Sequence, residues 1–215
     1  MNPRSSILAA IALLAGAPAF ADDFGDGLTA VQNEWAVAKY QTTEKAARSD
    51  AFVALLKHAD EFSAQYPDRA EALAWQGIIL STYAGEVGAM SAMKYAKAAR
   101  TALERAEVLD GPALAGGVYA SLGALYSKVP GGFIGFGDDE LAAEYFQKAL
   151  AVDRDNIDNN YFYGEFLLDQ GDYAGARAAL EHALAAPPVT DRPLFDSGRR
   201  AEIRSLLAVV SAKTS

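Results

Sequence analysis

Cysteine is absent from the 215-residue chain, and histidine occurs twice, as His58 and His182. The first absence excludes a disulfide framework, a thiolate zinc site, an iron–sulfur cluster and a cysteine nucleophile. The second leaves neither an HExxH pair nor a three-histidine metal site, and each histidine reads as a helix-surface residue. No run of alternating Val, Ile and Thr bounded by hairpin turns occurs, so strand signals are lacking. No GxSxG elbow or GxxxxGK(S/T) phosphate loop is present. The glycine-rich run from Gly131 to Gly137 departs from GxGxxG and follows a helical pattern rather than a strand, which argues against a dinucleotide cradle. Against these absences stand 51% hydrophobic residues and a mean hydropathy of +0.01, enough apolar surface for a folded core and too much for disorder.

The formal net charge is −9. The one basic cluster, Arg192, Arg199, Arg200 and Arg204, is interleaved with Asp191, Asp196 and Glu202. Phosphate backbones require Lys and Arg gathered on one face, so nucleic acid is not expected as a partner. Acidic residues fall where they serve helix geometry. Asp138, Asp139 and Glu140 open a helix, accepting free amide hydrogens and complementing the dipole. Asp153, Asp155 and Asp158 resemble a calcium loop superficially, but Ile157 occupies a ligand position and the required glycine is missing. Their spacing fits capping and inter-repeat turns, and no spacing selects a catalytic carboxylate pair. The residues therefore point to a non-enzymatic protein without cofactor or metal.

At the N-terminus, Arg4 precedes the apolar run Ile7–Ala15, followed by Pro18 and Ala19-Phe20-Ala21. A charged start, a short apolar centre and a small-x-small end define a secretory signal peptide, with cleavage expected after Ala21. A membrane span needs about 18 apolar residues, more than this run supplies. The missing cysteine also excludes a lipoprotein anchor, and a periplasmic location is expected. Removal of Arg4 with the segment leaves a mature charge of −10.

Residues 22–190 carry an internal period. Ala142, Phe146 and Ala149 recur 34 residues later as Ala176, Leu180 and Ala183. That period and residue chemistry resemble the tetratricopeptide repeat (TPR), a helix–turn–helix unit. The unit from Ile157 to Thr190 shows it most fully in Tyr163-Gly164, Leu167, Gly171-Asp172-Tyr173, Ala176, Leu180, Ala183 and Pro188. Gly164 and Ala176 are expected to face each other so that two antiparallel helices approach closely. Gly171 ends the first helix and Pro188 blocks continuation of the second.

Longer versions lie upstream. Gly123 and Tyr126 lead to Ala142 and Phe146. Trp75, Gly77 and Leu80 lead to Ala99, Leu103 and Ala106 through a connection at Tyr83–Gly88. Trp35 and Tyr40 lead to Phe52, Leu55, Ala59 and Phe62. Four irregular helix pairs follow. After Pro187-Pro188 and Pro193, Asp196-Ser197 is expected to cap a last helix within 191–215 that covers the end of the array. The expected fold is an all-α, TPR-like right-handed helical-hairpin solenoid with a C-terminal capping helix.

Four runs carry a narrower likeness: Val129-Pro130-Gly131 with Ile134-Gly135-Phe136-Gly137-Asp138-Asp139; Tyr161–Leu167; Ala186-Pro187-Pro188; and Ser197–Arg204. On these the chain, over roughly residues 30–210, resembles an exported bacterial TPR family akin to the TatT component of TRAP-type solute transporters. The resemblance implies a periplasmic accessory subunit that pairs with a solute-binding protein and has an apolar ligand pore. The chain departs from that family in lacking the lipoprotein cysteine.

The first helices of stacked pairs usually line the concave face. By analogy with the repeat, that stripe comprises Glu71, Ala74, Ile78 and Thr82, then Ala120, Ala124 and Lys128, then Asp158, Tyr161, Glu165 and Asp169. One lysine among small and acidic residues argues against a clamp for a peptide's terminal carboxylate. The stripe leaves room for a neighbouring helix or for a small apolar or acidic ligand. Between Lys128 and Asp139 sits an insertion with Pro130, four glycines and the apolar residues Phe133, Ile134 and Phe136. Such residues either fold back over the solenoid edge or contact a ligand or periplasmic protein partner. The candidate binding residues are Phe133, Ile134, Phe136, Lys128, Tyr161 and Glu165.

Overall fold

The computed structural model describes residues 23–214, so the signal segment 1–21 lies outside the described residues. Nine helices run in chain order among them: α1 (Asp23–Tyr40), α2 (Lys45–Gln65), α3 (Ala70–Glu86), α4 (Ala89–Asp110), α5 (Gly117–Lys128), α6 (Asp139–Val152), α7 (Ile157–Asp169), α8 (Tyr173–Ala185) and α9 (Pro193–Thr214). Among the described residues, β-type pairing is confined to an isolated bridge between Gly131 and Gly137.

Local chemistry sets the helix starts. The carboxylate of Asp138 accepts from the Leu141 amide, Asn156 accepts from those of Asp158 and Asn159, and Asp172 accepts from that of Gly175. Gly171, at φ +79°, takes the left-handed turn that ends α7.

The helices pair as four antiparallel hairpins, α1/α2, α3/α4, α5/α6 and α7/α8. Each hairpin presses a glycine of its first helix onto a large side chain of its second: Gly27 on Phe62, Gly77 on Leu103, Gly123 on Phe146 and Gly164 on Leu180. A Cβ at any of the four would come within 2.6–2.9 Å of that side chain. The register differs from the expectation in one respect. Gly164 meets Leu180, one turn beyond Ala176, because the close approach joins a glycine to a large partner rather than two small residues.

Two other boundaries move. Tyr83–Glu86 is helical, leaving only Val87 and Gly88 between α3 and α4. The last helix begins at Pro193, whose fixed φ suits a first helical turn, and not at Asp196. The carboxylate of Asp196 instead accepts from the Val189 amide and pairs with Arg200 at 3.0 Å.

The first helices α1, α3, α5 and α7 neighbour one another in sequence order, forming an inner row. Helix α9 covers α8 as a cap and also packs on α7 and α1, so the inner row closes into a ring. Aromatic and aliphatic side chains of the first and last helices share one core, including Val31, Phe52, Tyr161, Leu180, Phe195 and Ile203. A second core joins the middle helices through Leu73, Leu103, Leu122, Phe146 and Phe166.

Candidate functional site

The closed inner row surrounds a cavity of about 780 Å³. Each odd-numbered helix contributes wall: Trp35 and Lys39 from α1, Trp75, Ile78 and Thr82 from α3, Ala120, Ala124 and Lys128 from α5, Asp158, Tyr161 and Glu165 from α7, and Phe195 and Arg199 from α9. The volume lies within the range of about 300–1,000 Å³ usual for small-molecule sites. The small residues of α5 leave the space, and aromatic side chains of the neighbouring helices surface it.

Along one wall the rings touch in sequence. Trp75 lies edge-to-face with Trp35 at 5.8 Å between centroids, and Trp35 meets Phe195 at 6.4 Å. The Arg199 guanidinium lies 4.0 Å from the Tyr161 ring centre and 4.9 Å from that of Phe162. Residues of the connections also bound the cavity, among them Arg192, seated over Phe195 at 4.3 Å, and Leu114. Leu114 and Ala115 have φ of 58° and 55°, uncommon for non-glycine residues, and precede Gly116 at 88°. The Asn159 amide, itself fully buried, donates to the Ala115 carbonyl at 3.0 Å and ties this turn to the start of α7.

Ring closure rests on a charged cluster. Arg199 is 2% exposed and donates to Asp158 Oδ1 and Glu202 Oε2, each at 2.7 Å. From α1, Lys39 pairs with Glu202 Oε1 at 3.0 Å, and the Tyr40 hydroxyl donates to Oε2 at 2.9 Å. The Tyr40 ring lies flat against Gly198, where no side chain would fit. Burial opposes ionisation of Glu202, but Arg199 and Lys39 prevail and hold its carboxyl below the usual range. Burial also lowers Lys39 and raises Tyr40 and Tyr161.

The candidate residues divide between two places. Lys128, Tyr161 and Glu165 share the cavity wall, where Lys128 pairs with Glu165 at 3.2 Å and with Asp169. Although burial opposes it, those two carboxylates raise the Lys128 pKa. Phe133, Ile134 and Phe136 lie outside the cavity, on the α5–α6 loop. There they separate: Phe136 folds back against Tyr126 with Arg100 over its other side at 4.2 Å, whereas Phe133 and Ile134 are exposed at 112% and 76%. The loop is pinned by bonds from Gly137 N to Pro130 O and from Asp138 N to Tyr126 O, both 3.1 Å. A Cβ at Gly135 or Gly137 would collide with the backbone of Pro130 or Val129.

Of the expected concave stripe, Ile78, Thr82, Ala120, Ala124, Lys128, Asp158, Tyr161 and Glu165 line the cavity; Glu71, Ala74 and Asp169 do not. Glu71 pairs with Arg69 and Ala74 is in the second core. The calcium-like acids have protein partners, Asp155 with His182 and Asp158 with Arg199, and no metal-holding group of His and acidic residues occurs among the described residues. His58 bonds Glu34 at 2.8 Å.

Sequence reasoning did not single out Trp75, Phe195, Arg192 or Arg199 as wall residues. The i,i+3 spacing of Arg199 with Glu202 was the available signal for a helix-borne pair, but its α7 and α1 partners were not visible in it.

Fold and cavity together define a helical-repeat protein, an all-α TPR-like solenoid closed around a central space. Residues 134–208 match the tetratricopeptide repeat family. Among solved structures, the chain is similar to a thermophilic TPR protein of Thermus thermophilus. That likeness has a TM-score of 0.57 at 14% identity, covering 88% of this chain and 99% of the other. No curated protein matches the chain by sequence.

Proposed function

We propose that the chain is a non-enzymatic binding protein of the periplasm that holds a protein partner on its TPR-like scaffold. TPR repeats generally mediate protein–protein interaction, and TPR proteins are typically scaffolds rather than enzymes. The observation that carries the reading is the pinned α5–α6 loop, which presents Phe133 and Ile134 to solvent on a backbone held by hydrogen bonds. A rigid apolar tip loses little conformational freedom on docking, and aromatic anchors dominate binding energy in protein interfaces. Its counterpart is a partner with an apolar slot, and a solute-binding protein is the candidate that the TatT resemblance supplies. Residues 1–21 supply the export signal on this reading.

The test is affinity capture from the periplasmic fraction of the native host with wild-type protein and with Phe133→Ala/Ile134→Ala. Wild type is expected to retain one protein in stoichiometric amount and the variant to lose it. Equal capture by both would overturn the role of the loop.

The cavity favours a second reading, a small-ligand accessory component of a TRAP-type transporter. Its aromatic wall and its volume of about 780 Å³ suit a small molecule better than a peptide helix.

A further inference from the structure

Each lining carboxylate of the cavity is engaged by a cation: Asp158 by Arg199, Glu165 by Lys128 and Glu86 by Arg48. Three lining cations, Lys39, Lys128 and Arg199, are likewise paired. One lining cation remains. Arg192 stacks on Phe195 and makes no ion pair among the described residues.

Arg192 stands at one end of a contiguous wall, Trp75–Trp35–Phe195–Arg192, whose remaining surface is aromatic. The wall therefore offers an apolar face and one unpaired positive charge, with no free anion to receive a cation. A carboxylate placed against an arginine gains a charge-assisted bond.

Resting on the small-ligand reading of this cavity, we infer that its ligand is an anionic amphiphile. An apolar chain or ring lies along the aromatic wall and its carboxylate meets Arg192. A saturated fatty acid and an aryl-substituted carboxylic acid share this chemistry.

Trp35 and Trp75 are the only two tryptophans of the chain, and both line the cavity, so indole emission reports occupancy directly. The experiment titrates full-length mature protein at neutral pH with decanoate, decan-1-ol and decylammonium, each below its micelle concentration. Phenylpropionate and phenylpropanol form a second pair that separates ring from chain. Decanoate is expected to change the emission saturably and to bind about tenfold more tightly than decanol, the factor a single charge-assisted contact supplies. Decylammonium is expected to bind more weakly than either.

Arg192 is partly exposed, and Arg192→Gln removes its charge while keeping a side chain to cover Phe195. It is expected to erase the advantage of decanoate over decanol without changing the decanol constant. Decylammonium binding as tightly as decanoate, or an undiminished carboxylate preference in Arg192→Gln, would overturn the anionic ligand while the cavity reading stands. No saturable response to any probe would overturn the cavity reading and the inference with it.

Discussion

Replacing Arg199 by Leu removes the centre of the ring closure while keeping an apolar side chain of similar girth. Two charge-assisted hydrogen bonds of 2.7 Å disappear, one to Asp158 on α7 and one to Glu202 on α9. Bonds of this type contribute about 1.5–3 kcal/mol each. The stacking on Tyr161 and Phe162 adds about 1 kcal/mol or more in a desolvated site. Against this, the cost of burying the guanidinium in the folded state is relieved. The two carboxylates are 30% and 28% exposed, so water recovers part of their solvation once the cation is gone. The balance falls at about 3–5 kcal/mol of lost stability, the range for breaking a buried ion pair from one side.

A domain of this size has about 5–15 kcal/mol in total, so the variant should remain folded but visibly weakened. Urea unfolding followed by far-ultraviolet circular dichroism measures the change, with the slope against denaturant checking that the same surface unfolds. Arg199→Lys retains charge but cannot span both carboxylates with a planar fork, so it should recover less than half of the loss. A stability within about 1 kcal/mol of wild type for Arg199→Leu would refute the role assigned to the cluster.

Gly164→Val should overpack Leu180 and cost about 1–3 kcal/mol, measured by the same unfolding assay; an unchanged midpoint would contradict the hairpin register. On the α5–α6 loop, Phe133→Ala should alter stability by less than about 0.5 kcal/mol because the ring is fully exposed. Phe136→Ala, which loses contacts with Tyr126 and Arg100, should cost about 1–2 kcal/mol. Acid should loosen the closure. The folded-state pKa of Glu202 is depressed, so its contribution is present above the ordinary value of 4.5 and is lost as pH falls through the lower folded value. Glu202→Gln should flatten that part of the stability–pH curve, and an identical curve would remove Glu202 from the account.

The hairpins were legible because their signals are local. Glycine and a large apolar residue at recurring positions, Asp or Asn at helix starts, and Gly171 at a helix end all act within a turn or two of chain. The misread boundaries share a cause: Pro193 and the glycines near Val87 carry two meanings, and only packing decides between them. Pro193 starts a helix because its fixed φ suits the first turn after the chain has turned at Val189–Arg192, and Gly85 stays inside α3. The partner of Gly164 was misassigned because the 34-residue period fixes which positions recur, not which pairs touch.

For the candidate site, Lys128, Tyr161 and Glu165 followed from the inner stripe of the repeat. Trp75, Phe195, Arg192 and Arg199 did not, since their shared wall exists only once α9 reaches α1. The curvature of a solenoid sums small rotations at every hairpin interface. No single stretch of sequence states that sum.

The central claim is that α9 closes the inner row onto α1, and the absence of native cysteine permits a direct test. A Cβ at position 198 would stand 2.5 Å from Tyr40 Cγ. The two Cβ atoms therefore lie within about 4 Å of each other, inside disulfide range. In the double variant Tyr40→Cys/Gly198→Cys, mild oxidation of dilute purified protein should give an intramolecular disulfide in nearly every molecule, identified by mass spectrometry of the linked peptides. Free thiols at both positions in folded protein would show α1 and α9 apart, and the inner row would not close around the cavity.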